Sequence, residues 1–144
     1  KYIMGLSSSL RYKQLTLGMS FRANIGNYVY NGMAMNAGAW ETVSYNNSQL
    51  NNLNTSFLKT GFKTRQYLSD YYVENASFLK LDNLSLSYNV GKINKWASLT
   101  VSAMVQNVFT ITGYSGADPE VPNGMDNSFY PRPRTYSLSL GLQF

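Results

Sequence analysis

The chain has 144 residues, enough for a core of its own, but only 13% are charged while 15% are Phe, Trp or Tyr, and the net charge is +5. An average soluble domain carries roughly 25% charged residues, so the surface being built is not an ordinary water-facing one. With no Cys and no His, disulfides, thiolate nucleophiles, imidazole bases and most zinc or iron sites are excluded, and the singly scattered Lys and Arg argue against nucleic acid; neither enzymatic activity nor a cofactor is expected.

No apolar run reaches the roughly 18 residues that a spanning helix needs, and no leader opens the chain, so any membrane crossing must be made by strands. Five segments alternate with period two. The first, at about 2–12, is already alternating where the chain begins at Lys1, and reads as a piece of something longer. It sets Tyr2, Met4, Leu6, Leu10 and Tyr12, with Ser8, against Ile3, Gly5, Ser7, Ser9 and Arg11. Lys13 and Gln14 form a tight hairpin into the second strand, about 15–23, where Leu15, Leu17, Met19 and Phe21 oppose Thr16, Gly18, Ser20 and Arg22.

From about 24 to 71 the pattern dissolves into Asn, Gly, Ser and Tyr, with a short helix expected near Met33 to Val43. Connections this long are rare in compact domains and usually functional. The third strand, about 72–90, is clearest in "NLSLSYNV", where Leu84, Leu86, Tyr88 and Val90 share a face. Lys80 and Asp82 have the phase of those leucines, so either these charges lie beyond the apolar layer or a bulge resets the phase before Leu84. After a short turn at Gly91 to Lys95, the fourth strand, about 96–109, sets Ala97, Leu99, Val101, Ala103 and Val105 on one face. A second long loop, about 110–132, is rich in Pro and Gly. The fifth strand, about 133–144, ends "TYSLSLGLQF", with Tyr136, Leu138, Leu140, Leu142 and Phe144 as its apolar teeth.

Two tiny connections alternate with two long ones. In an up-and-down sheet this places both tight turns on one edge and both long loops on the other, as in bacterial outer-membrane barrels. A soluble antiparallel sandwich is the alternative, because its strands alternate too. Against it stand polar faces of Ser, Thr, Asn, Gln and Gly with few charges, Tyr12, Tyr88, Trp96 and Tyr136 near strand ends, and a last strand with no polar tail. The fold expected is all-β, an antiparallel transmembrane β-barrel of which this chain supplies the last five strands, with apolar teeth toward lipid.

Three stretches carry a resemblance: "YVENASFLKLDNLSLSYNV" (Tyr72 to Val90), "VSAMVQNVFTITGYSGADPEV" (Val101 to Val121) and "YPRPRTYSLSLGLQF" (Tyr130 to Phe144). Together they resemble the C-terminal end of the SusC/RagA family of TonB-dependent outer-membrane transporters, whose pattern runs through a "SFLRLKNL" strand, an "NLFTIT" strand end, a "DPE" loop and a "YP.PRT" lead into a last strand ending in Phe. "YKQLTLGMSFRANIGNYVYNG" is similar to the family's preceding hairpin, where a glycine is common at the position of Gln14. The intervening loop matches no pattern of the family.

The resemblance implies a 22-stranded barrel, a plug domain and TonB-coupling box that this chain does not contain, and an extracellular lid lipoprotein of the SusD type. It further implies an outer-membrane location and import of glycans or oligosaccharides, with oligopeptide cargo or a passive porin or secretion barrel as alternatives. The lipid bilayer and TonB, reached through the missing N-terminal part, are then partners. Strand parity places Lys13–Gln14 and Gly91–Lys95 on the periplasmic side and the long loops outside. A terminal strand with a final Phe resembles the signal read by the barrel-assembly machinery.

Within the loops, Tyr28, Tyr30, Trp40 and Tyr45, and Tyr114, Phe129 and Tyr130, are candidates for stacking on cargo or lid, or for packing the loops themselves. Arg11 and Arg22 are expected to face the lumen. No metal site is expected; Asp118, Glu120 and Asp126 are a weak calcium candidate without the spacing of an EF-hand, and Asp118 before Pro119 reads as a turn former.

Overall fold

The structure is a computed structural model that describes residues 1–47, 52–93, 97–127 and 130–143, with backbone alone at 44–47. It divides into two units, a sheet unit of Lys1–Ile25, Phe78–Thr112 and Arg132–Phe144 and a loop unit of Gly26–Ser77 and Gly113–Pro131. Its strands are β1 (Tyr2–Tyr12), β2 (Leu15–Ile25), β3 (Tyr28–Tyr30), β4 (Val73–Asn75), β5 (Phe78–Lys92), β6 (Ser98–Thr112) and β7 (Thr135–Gln143).

In the sheet unit five antiparallel strands follow the order β1-β2-β5-β6-β7, so β1 and β7 are open edges. The register brings the apolar positions of all five into common rows. Leu10, Leu17, Leu86, Ala103 and Leu138 stand side by side, as do Tyr12, Leu15, Tyr88, Val101 and Leu140. On the opposite face, Arg11, Thr16, Ser87, Ser102 and Ser139 form one row and Ser9, Gly18, Ser85, Met104 and Ser137 another. Because a one-residue slip anywhere would exchange the faces, the pattern of apolar residues specifies this register. Leu138 and Leu140 are 75% and 69% exposed. Neither is pressed against a second sheet, as a sandwich would require.

The eleven residues of β2 span about 33 Å end to end, or about 25 Å of height at a tilt near 40°, which is the apolar band of an outer-membrane barrel. The sheet is therefore an antiparallel all-β sheet of barrel type, not closed within this chain.

The two charges out of phase in the third strand are resolved by a bulge. The register of β5 skips Asp82 on both sides, between Leu81 and Asn83. Leu81 and Leu79 are thereby returned to the apolar face opposite Phe21 and Ala23, and Lys80 falls opposite Arg22 on the polar face. On β6 the same interval holds Asn107 and Val108, with Asn107 in the left-handed region (φ 52). Asn107 then fastens the approach to β7, its Nδ2 donating to the Arg132 carbonyl at 2.6 Å.

Boundaries differ from expectation where local chemistry intervenes. The third strand was expected from residue 72, but Val73–Asn75 pairs with Tyr28–Tyr30 in a separate two-stranded sheet. Asn75 Oδ1 accepts from both the amide and the hydroxyl of Ser77, turning the chain before β5 begins at Phe78. β7 starts at Thr135 rather than 133, since Pro131 and Pro133 have no amide hydrogen for a ladder. β2 and β6 run past the expected ends, to Ile25 and Thr112. Asn94, Lys95 and Trp96, at the end of the expected turn, and Phe144 lie outside the described residues.

The loop unit is organised rather than structureless. Helix α1 (Gly32–Ala37) occupies part of the stretch where a helix was expected, capped by Asn31, whose Oδ1 accepts the Ala34 amide at 2.9 Å. A 3-10 helix (Trp40–Asn47), helix α2 (Phe57–Thr60) and a 3-10 turn (Asp70–Tyr72) follow. Residues of the second long loop join in: Tyr30 bridges to Met125, its amide donating to the Gly124 carbonyl and its carbonyl accepting from the Asp126 amide. Two small apolar clusters result, Val29, Ala76 and Tyr114 in one and Ala34, Met35 and Tyr72 in the other.

Candidate functional site

On the polar face of the sheet unit, β2 and β5 bring two cations to one ring and a carboxylate to one of the cations. Arg22 donates from Nε to Asp82 Oδ2 at 2.9 Å and from Nη2 to Oδ1 at 3.1 Å, a forked, charge-assisted grip. Its guanidinium lies 5.9 Å from the centre of the Phe78 ring, and Lys80 Nζ lies 5.4 Å from the same ring. Lys80 is only 1% exposed. These groups edge a hollow of about 450 Å³ that Asn83, Gln106 and Arg132 also line. Three cations to one carboxylate leave it cationic. Arg22 thus faces the polar side, as does Arg11, in the row of serines nearer the tight turns.

In the loop unit a polar knot ties distant segments together. Buried Asn31 donates from Nδ2 to Glu74 Oε1 at 2.9 Å and lies 3.0 Å from Ser115 Oγ, while Glu74 also accepts the Ser115 amide at 2.8 Å and its hydroxyl at 2.7 Å. Sequence reasoning passed over all three residues. Glu74 and Ser115 lie 43 and 84 residues from Asn31, so no local spacing announces the set.

The aromatic candidates divide. Tyr114 is buried, and its hydroxyl donates to Asp126 Oδ2 at 2.8 Å. Burial first, then that bond and the negative charges of Asp126 and Glu74, push its pKa well above the tyrosine range. Gly116 packs directly on the Tyr114 ring, where a Cβ would have no room. Tyr114 therefore packs the loops and offers no ring face to cargo. Tyr30 meets Tyr72 edge to face at 6.3 Å and accepts the Leu68 amide at its hydroxyl. Tyr28, Trp40 and Tyr130 are exposed, Trp40 tilted against Phe57 at 6.1 Å. The Tyr45 side chain and Phe129 lie outside the described residues.

Asp118, Glu120 and Asp126 are not gathered: among the described residues no group of three acidic side chains is placed to hold a metal. Asp118 Oδ1 instead accepts the Glu120 amide at 3.0 Å across Pro119, the turn its sequence position predicts.

Beside the knot lies a hollow of about 570 Å³ lined by Asn54, Thr55, Lys59, Tyr71, Tyr72 and Glu74, among others. A second, of about 340 Å³, includes Asn54 and Ser115, residues that the first also has in its wall.

No family model matches the chain. It is 38% identical over 151 residues, 99% of its length, to the TonB-dependent receptor SusC of Bacteroides thetaiotaomicron. It is 29% identical over 163 residues to the TonB-dependent receptor P3 of Formosa agariphila. Among solved structures it matches the RagAB peptide importer in the open-open state with a TM-score of 0.78 at 26% identity, and in the closed-closed state with 0.80 at 24%, over 99% of the chain in both. It spans 15% and 16% of the two curated relatives and 17% of the importer chains. The chain is homologous to SusC, matching a small part of it, and its sheet matches the barrel portion of RagA.

Proposed function

We propose that this homologue of SusC is the barrel end of a TonB-dependent outer-membrane importer of glycans or oligosaccharides. The observation that carries the reading is the 38% identity to SusC along 99% of the chain. The sheet supports it: one face is a continuous apolar surface suited to hydrocarbon, the other a polar surface of hydroxyls, amides and a few charges suited to a water-filled lumen.

In this reading the long loops face outward, where a SusD-type lipoprotein closes over captured cargo. The tight turns face the periplasm, and parts of the protein outside this chain supply the plug and the contact with TonB. No covalent chemistry is involved; transport consists of capture, closure and displacement of the plug. The exposed Tyr28, Trp40 and Tyr130 offer apolar faces to cargo or lid, and Arg11 and Arg22 line the lumen.

A second reading keeps the architecture and changes the cargo to oligopeptides, favoured by the 26% identity and TM-score of 0.78 to a peptide importer. Purified full-length transporter with its lipoprotein, titrated with oligosaccharide and peptide libraries, separates the two. Binding of oligosaccharides alone is expected; binding of peptides alone would replace the first reading by the second.

A further inference from the structure

The hollow of about 450 Å³ on the polar face of the sheet unit has the size of a small-molecule site, roughly 300–1,000 Å³. Its wall combines a neutral row with a charged one. Asn83 is paired with Gln106 and Gln106 with Thr135, so two amides and a hydroxyl stand side by side across β5, β6 and β7. Such groups both donate and accept. In the next row Arg22 stands opposite Lys80, and Arg132 enters from the lead into β7. Asp82 is the one carboxylate among the described residues of the wall, and Arg22 grips it with a fork.

The three cations act differently. Lys80, at 1% exposed, does not touch a ligand. Its charge acts through the wall, where salt screens it little. Arg22 is one-third exposed, with two N–H groups already directed at Asp82. Arg132 is exposed, and the Asn107 amide holds it by its carbonyl rather than by its guanidinium. The main chain is thus anchored while the planar fork, matched in shape to a carboxylate, meets water at the hollow. A cleft with an excess of one charge and low-dielectric walls concentrates the field and draws in the opposite ion.

The place of the hollow favours an arriving solute over a fixed counter-charge. Arg22 is near the Ile25 end of β2 and Lys80 near the Phe78 end of β5, and both ends lead into the long loop rather than a tight turn. In the importer reading this is the outer mouth of the lumen.

We infer that this hollow is a subsite for the carboxylate of a uronic-acid oligosaccharide. Arg132 grips the carboxylate, Lys80 and Arg22 supply the attracting field, and the row of Asn83, Gln106 and Thr135 meets the sugar hydroxyls. The inference rests on the glycan reading above and narrows the class of glycan.

The test titrates the full-length transporter and its lipoprotein calorimetrically with a panel of uronic-acid oligosaccharides and with the same compounds after reduction of their carboxyls to alcohols. The wild type is expected to prefer the acidic form roughly tenfold or more at low salt, and the preference should shrink as salt rises from about 20 to about 300 mM. Arg132→Gln, at an exposed position that folding does not depend on, is expected to reduce that preference roughly threefold to tenfold. Lys80→Met should also reduce it, and neither variant should change binding of the reduced form.

Equal binding of acidic and reduced forms by the wild type would overturn the subsite and leave the glycan reading standing. A preference that survives both substitutions would also overturn it; if thermal unfolding falls at the same time, the cations serve instead as counter-charges to a carboxylate of the protein itself. Binding of neither form would overturn the inference and the glycan reading together.

Discussion

Arg22 and Asp82 exemplify how a single residue acquires meaning from its register. Asp82 is the extra residue of a bulge, and because the ladder skips it, its carboxylate reaches Arg22 rather than the apolar face. The pair is partly solvated, so its contribution is modest, about 1 kcal/mol by analogy with exposed pairs; its larger effect is to offset one of the cations facing Phe78. Tyr114 is the residue where protonation and folding are most plainly coupled. The folded loops hold its proton more tightly than the unfolded chain does, where the ordinary value is 10.0. A raised pKa means that the stabilisation is complete below that pH and is lost as pH rises through and beyond it. Thermal unfolding of the full-length protein, followed from about pH 8 to 11, should be flat at first and then fall, and Tyr114→Phe should lessen the fall. An undiminished slope in the variant would assign the effect elsewhere.

At the scale of the strand, what matters is which solvent each face meets. Leu138 sits in the row with Leu10, Leu17 and Leu86, near the middle of the apolar face, while Ser139 is its neighbour on the opposite side. Replacing Leu138 by Arg in the assembled barrel should cost about 2–4 kcal/mol, the penalty of a cation near the bilayer midplane. Ser139→Arg should cost well under half of that, because the lumen is wet. Urea unfolding of the full-length protein in lipid vesicles measures both, and equal losses would refute the assignment of faces. The bulge in β5 belongs to this scale as well: had the ladder paired Asp82 instead of skipping it, Lys80 would have taken the phase of Leu84 and Leu86 and joined the apolar face.

At the scale of the molecule, the five-stranded sheet is bounded by β1 and β7, each paired on one side only. In the proposed barrel each open backbone group would cost several kcal/mol in hydrocarbon, so that reading requires strands that cover these edges. Residues 1–144 expressed alone and refolded into detergent are expected to elute as aggregates in size-exclusion chromatography. A stable monomer would mean that the edges are covered in some way other than barrel closure. The loop unit, by contrast, has its own means of order: Asn31, Glu74 and Ser115 join stretches far apart in the chain, and strands β3 and β4 pair within it.

Alternation of side chains was enough to locate all five sheet strands and to say which face of each was apolar, because a period of two is a local property that burial on one side imposes on any strand. The same alternation posed the problem of Lys80 and Asp82 but left two solutions, since a bulge is decided by the partners' register and not by the strand itself. The loops were harder to read. Their aromatic residues announced that something was built there, and only the folded arrangement separated buried Tyr114 from exposed Trp40 and Tyr130. That difference arises from contacts between residues that are not sequence neighbours, 12 apart for Tyr114 and Asp126 and 84 apart for Asn31 and Ser115. Such contacts carry no periodic trace in the sequence, because they depend on where a side chain arrives in space rather than on its spacing along the chain.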